Sequence, residues 1–306
     1  VAGAATAIGA LTTKAIEGYA AQEQLVGGVE TLFKTSSDTV VGYANDAYKT
    51  AGMSANEYME TVTSFSASLL ASMNNDTAAA AEKANVAITD MSDNANKMGT
   101  DISLIQNAYN GFAKQNYTML DNLKLGYGGT QEEMQRLLDD ASKLSGIKYD
   151  ISSYSDVVDA IHVVQTEMGI TGTTAKEAST TIEGSVSSMS SAWDNWVAGM
   201  ADSEANFSQL TSNLVDSIVT VVGNIAPRVI ETVPRLVSGL GEIVEQLATY
   251  IPQVIQELLP PLMSGVQDLL NTLVGMLPEM ISIIGQIIPT IIDTLLTILP
   301  QLLEAG

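Results

Sequence analysis

Three observations predict an all-α fold for this chain. All eight prolines fall in the last 80 residues, so residues 1–226 avoid the strongest helix breaker altogether. Hydroxyl-bearing start signals stand ahead of apolar-periodic stretches. From Ser212 onward the chain repeats every 11 residues, with apolar side chains at the third, seventh and eleventh places. Eleven residues are almost three helical turns, so these places align into one stripe.

Helices are expected near 2–33, 38–50, 55–73, 76–98, 102–115, 117–124, 131–144, 154–168, 175–201 and 204–222, with kinked helices following to about 303. Three of them open on S/T-x-x-E capping boxes, with Ser54, Thr130 and Thr174 as the caps and Glu57, Glu133 and Glu177 reaching back. Asp101, ahead of Ile102, is a further cap. Breaks are expected at 126–129, 145–153 and 169–173, where Gly and Ser cluster. No convincing strand pair emerges, since the β-branched runs at 218–222 and 287–292 lie inside the helical repeat.

Composition divides the chain into an Ala/Ser-rich helical region (1–100), a compact helical module (101–201) and the hydrophobic repeat (202–306). Aromatics are 5% of the residues although 46% are apolar, so the apolar mass is small and aliphatic and suits helix seams. The chain begins at Val1 and ends inside the repeat, the pattern expected of a piece of a longer protein.

The repeat predicts a self-association stripe formed by Leu214, Ile218, Leu236, Leu240, Leu258, Leu262, Leu269, Leu273, Met280, Ile284, Ile291 and Leu295. Acids recur at Glu257, Asp268, Glu279 and Asp293, so no uncharged run reaches the length of about 20 residues that a membrane span needs. The stripe therefore points first to helix packing in an assembly and second to lipid. Pro234, Pro278, Pro289 and Pro300 all hold the first place of their units, opposite the stripe. Each removes a backbone hydrogen bond, so either kinked long helices or separate short helices starting at N1 follow, and kinked helices are the expectation here.

Charge and composition exclude several functions. A net charge of −22 with 13 scattered basic residues opposes binding to phosphates, so no specific nucleic-acid contact is expected. With no cysteine there is neither a disulfide framework nor a thiolate site. Neither a cofactor nor a metal site is expected. The 125–130 loop, Leu-Gly-Tyr-Gly-Gly-Thr, lacks the lysine and spacing of a phosphate loop and reads as a helix-to-helix turn. His162, the only histidine, has no second ligand nearby in sequence and reads as a packed or boundary residue. Glu132, Glu133, Asp139 and Asp140 read as a solvated face with Arg136 as ion-pair partner. Trp193 and Trp196 share a helix face and read as an interhelical contact, with an interfacial membrane belt as the alternative. No catalytic constellation is visible, so the chain is not expected to be an enzyme.

Residues 90–113 (DMSDNANKMGTDISLIQNAYNGFA) and 115–130 (QNYTMLDNLKLGYGGT), with Glu133–Leu138, 156–165 (DVVDAIHVVQ) and 168–182 (MGITGTTAKEASTTI), resemble the tape measure proteins of long-tailed bacteriophages and prophages. The resemblance spans about 55–200. It implies a mainly helical structural protein of the tail lumen, whose length sets that of the tail and which is released at infection to help DNA cross the host envelope. It further implies association with copies of itself as a trimer, contact with tail tube and tail tip proteins, and access to the host membrane after release. Peptidoglycan-cleaving domains occur in some relatives, and no motif for one stands here. The alternative function is a membrane-active, pore-forming helical protein.

Overall fold

In the computed structural model, residues 2–250, 263–272 and 274–275 are described, and among them the regular secondary structure is entirely helical. Ten α-helices follow one another: α1 (Ala2–Phe33), α2 (Ser37–Thr50), α3 (Ala55–Ser72), α4 (Thr77–Met98), α5 (Ile102–Phe112), α6 (Gln131–Ser145), α7 (Tyr154–Glu167), α8 (Thr173–Thr180), α9 (Ile182–Gly199) and α10 (Phe207–Tyr250). Short 3-10 turns occupy Lys34–Ser36 and Leu120–Leu123.

α4 is the hub. It packs against α1, α2, α3, α5, α7 and α8. Its sequence explains why: Ala80, Ala81, Ala84 and Ala87 are all buried, and so small a side chain lets neighbouring backbones come close. Ile88 and Met91 then plug the gaps those neighbours leave. Around this axis, Tyr58, Phe65 and Leu69 of α3, Ile105, Tyr109 and Phe112 of α5, Met134, Leu137 and Leu138 of α6, and Val157, Val158 and Ile161 of α7 close one continuous core. Burying an aliphatic or aromatic side chain of this size stabilises by about 1.5–3 kcal/mol.

That core runs across residue 100: regions 1–100 and 101–201 both contribute to it, and the chain divides into a compact unit, Val1–Val229, and a second unit, Ile230–Gly306. The small-residue composition of the first hundred residues allows close helix packing.

Helix ends show where local chemistry beat periodicity. Ser54 caps α3 as expected: its Oγ accepts from Glu57 N–H and the Glu57 carboxylate accepts from Ser54 N–H. Thr130 caps α6 by accepting from Glu133 N–H, but the Glu133 carboxylate reaches past it to Gly128 N–H. Thr174 does not cap α8. The helix begins one residue earlier, and its amide at Thr174 is held by the carboxylate of Asp93 from α4. The helix expected over 175–201 is cut at Thr181, which is extended (φ −116°, ψ 156°) and caps Gly184 N–H. The helix expected at 117–124 is only the 3-10 turn, because Asn116 Oδ1 takes Thr118 N–H and the chain leaves at Lys124 with φ 52°.

α10 runs through both Pro227 and Pro234, so neither proline starts a separate helix. Within Val1–Val229 its first turns are anchored. Leu214 packs on Tyr48 and Ala192, and Asn224 Nδ2 donates to the Thr181 carbonyl.

Candidate self-association surface

α10 presents two chemically distinct faces. At about 100° per residue, Ile218, Val222, Val229, Val233, Leu236 and Leu240 fall on one side, while Asp216, Arg228, Glu231, Arg235 and Glu242 fall on the other. Pro227 and Pro234 lie with the charged residues, where the hydrogen bonds they delete face away from the apolar side. In the first unit Ile218 is 43% exposed and Val222 and Val229 more so; in the second, Leu236 is 60% exposed and Val233 and Leu240 only slightly less. Leu269, in the helical segment 263–272, is likewise exposed. Scattered apolar side chains at a surface are ordinary, but a contiguous row on one helix face is a patch that calls for a partner.

Leu214 departs from the expected stripe. It is buried in the small core with Tyr48 and Ala192, so the first rung of the ladder serves the chain's own fold and cannot serve association. Ile218, Leu236, Leu240 and Leu269 remain as exposed members. Leu258, Leu262, Leu273, Met280, Ile284, Ile291 and Leu295 lie outside the described residues, as do Glu257, Glu279, Asp293, Pro278, Pro289 and Pro300.

Among the described residues, one stretch, Phe207–Ile243, is long and apolar enough to cross a membrane by length and composition. No uncharged run within it reaches about 20 residues, since Asp216, Arg228, Glu231, Arg235 and Glu242 interrupt it. The same composition suits a helix that packs in an assembly, so it decides nothing alone.

The other residues singled out in the sequence resolve into structural roles. Glu133 occupies the amide of the 125–130 loop, accepting from Gly128 N–H at 3.0 Å. Arg136 pairs with Glu133 at 2.6 Å, donates to the Gly126 carbonyl and stacks over the Tyr127 ring, 4.3 Å from its centre. Asp140 is paired with Lys143 and accepts from the Tyr127 hydroxyl, so the direct carboxylate partner of Arg136 is Glu133. Trp196 joins α9 to α10: its Nε1–H donates to Thr211 Oγ1 at 3.0 Å and its ring stacks on Phe207.

His162 meets a partner that sequence spacing could not supply. Its Nδ1 lies 2.9 and 3.0 Å from the two carboxylate oxygens of Asp90, across the α4–α7 contact. Burial raises the Asp90 carboxyl to about 6 even though His162 pulls the other way. The hydrogen bond to Asp90 in turn raises His162 above the usual imidazole value, against partial burial. Lys83 and Asp159 form an ion pair across the same two helices. Sequence reasoning also missed Asp93, fully buried, which accepts from Gly172 N–H at 2.6 Å and Thr174 N–H at 2.7 Å. Among the described residues no group of three His, Cys, Asp or Glu side chains is placed to hold a metal ion.

No family model, curated protein or solved structure matches this chain.

Proposed function

We propose that this chain is part of a phage tail tape measure protein: a helical, non-enzymatic structural protein of the tail lumen that self-associates, sets tail length and helps DNA through the host envelope on release. The observation that carries the reading on the structural side is the row of exposed apolar side chains on α10, opposite a charged face. A face of that kind needs a continuous partner along its length, which a second copy of the same helix provides. The worded resemblance over about 55–200 supplies the family, and the 11-residue beat supplies the ruler: kinked helices of that repeat, if extended, add length in proportion to residues. Partners under this reading are copies of the chain in a trimer, tail tube and tail tip proteins, and the host membrane after release. The net charge of −22 keeps passing DNA from adhering.

In-frame deletion of whole 11-residue units from the repeat, in the phage that carries this gene, tests the ruler. Each unit removed shortens the tail by about 16 Å in electron micrographs. Unchanged length overturns the assignment.

The second reading, a membrane-active pore former, is favoured by the spanning character of Phe207–Ile243. It predicts ion conductance in liposomes from the isolated chain, without other tail components.

A further inference from the structure

Beside the end of α9 and the start of α10, within the unit Val1–Val229, lies a groove of about 720 Å³, in the size range of small-molecule sites. One wall is aromatic and held still. Trp193 lines the groove and is 42% exposed, and its ring centre is 5.2 Å from that of Trp196. Trp196 is stacked in turn on Phe207 at 5.6 Å and tied through Nε1–H to Thr211. The exposed indole is thus the outer member of a row of three rings, tilted against Trp196, which is stacked on Phe207.

Other lining residues are carboxamides with part of their capacity already committed. Asn195 Oδ1 accepts from Ala55 N–H at 2.7 Å, which leaves its NH₂ group; Asn56 Nδ2 donates to the Gly18 carbonyl at 2.9 Å, which leaves its oxygen. Gln209 Nε2 donates to Asn213 Oδ1 at 2.9 Å, leaving an oxygen on one and an NH₂ on the other. All four line the groove. Each anchored amide is oriented in advance, so a ligand does not bear the entropy of ordering it. Asp194 adds a carboxylate, kept above its usual range by partial burial.

We propose that this groove binds a neutral pyranose-containing oligosaccharide, one sugar ring resting its C–H face on Trp193 while Asn195, Asn56, Gln209, Asn213 and Asp194 bond its hydroxyls. A pyranose is the ligand that needs both an aromatic plane and many mixed donors and acceptors in one small space, because one face is apolar and its rim is all hydroxyl. Phosphate-bearing ligands are opposed by the charge: Glu17, Asp194, Asp202 and Glu204 line the groove against Lys14 alone. Purely apolar ligands would leave the oriented amides unsatisfied. This inference is independent of the tape measure reading.

The test is calorimetric and fluorescence titration of the full chain with four neutral trisaccharides: tri-N-acetylchitotriose, maltotriose, cellotriose and mannotriose. At least one binds with a Kd below about 10 mM and shifts tryptophan emission, and Trp193→Ala weakens it at least tenfold, the factor corresponding to 1.4 kcal/mol. Trp193 is exposed, so that variant keeps the fold, which circular dichroism verifies; Trp193→Phe retains part of the affinity. Binding by none of the four, or binding unchanged in Trp193→Ala, overturns the proposal.

Discussion

Replacing Asp93 by alanine removes a contact that joins two distant parts of the compact unit. In the intact chain its two oxygens hold Gly172 N–H at 2.6 Å and Thr174 N–H at 2.7 Å, at the start of α8. The two amides are not equivalent. Gly172 is exposed, so water replaces most of its lost bond, whereas Thr174 is 5% exposed and its amide stays dry. An unsatisfied buried donor costs about 1–3 kcal/mol, and loss of a capping acceptor about 1 kcal/mol. Asp93→Ala therefore destabilises by about 2–4 kcal/mol, and Asp93→Asn, which keeps one acceptor, by about half as much. Thr174→Ala is the control: it deletes only the hydroxyl that accepts from Asn96 Nδ2 and costs about 1 kcal/mol or less. Urea denaturation followed by circular dichroism ranks the three variants, and hydrogen exchange at Thr174 locates the loss. If Thr174→Ala proves the more damaging change, α8 is capped by its own hydroxyl and the role given to Asp93 is refuted.

Other expectations follow from the same packing. Asp90 is raised from 3.8 to about 6 when folded, so the folded state holds its proton more tightly than the unfolded chain. Stability from that proton is full below about pH 4 and falls by about 3 kcal/mol as pH rises through 6; His162, also raised, adds a loss in the same direction above the unfolded imidazole value. Relative to the wild type, Asp90→Asn gains stability between pH 4 and 7 in pH-dependent urea melts, and a constant difference contradicts the assignment. Gly129→Ala puts a Cβ onto the Thr118 carbonyl, a backbone atom that cannot yield cheaply, and lowers stability by about 1–3 kcal/mol in thermal melts. Ser54→Ala breaks the α3 capping box at a cost of about 1 kcal/mol by the same assay.

Most helices were legible because their signals are local. The proline-free stretch, Ser54 with Glu57, and Thr130 with the glycines before it are short-range facts, and α3 and α6 start where those residues put them. Long-range bonds were invisible. Nothing near Thr174 says that a carboxylate 81 residues earlier takes its amide, and Lys97, one helical turn beyond Asp93, reads equally well as a surface partner. The break at Thr181 was hidden because Gly184 must sit against the Glu177 backbone, a constraint set by packing of α8 on α9. In the candidate surface, periodicity located the apolar face of α10 but could not tell Leu214, covered by Tyr48, from Ile218 one turn on. The groove beside Trp193 was equally out of reach, since its four carboxamides come from three separate helices, α3, α9 and α10.

The claim that the exposed face of α10 is an association surface is tested most directly by sedimentation equilibrium of the chain at about 50 μM, well above a Kd of about 1 μM. The wild type is predicted to sediment as an assembly of about three times 32.2 kDa, and the triple change Ile218→Asp, Leu236→Asp, Leu240→Asp to sediment at 32.2 kDa with its circular dichroism intact. A wild-type chain that stays at 32.2 kDa under these conditions contradicts the account.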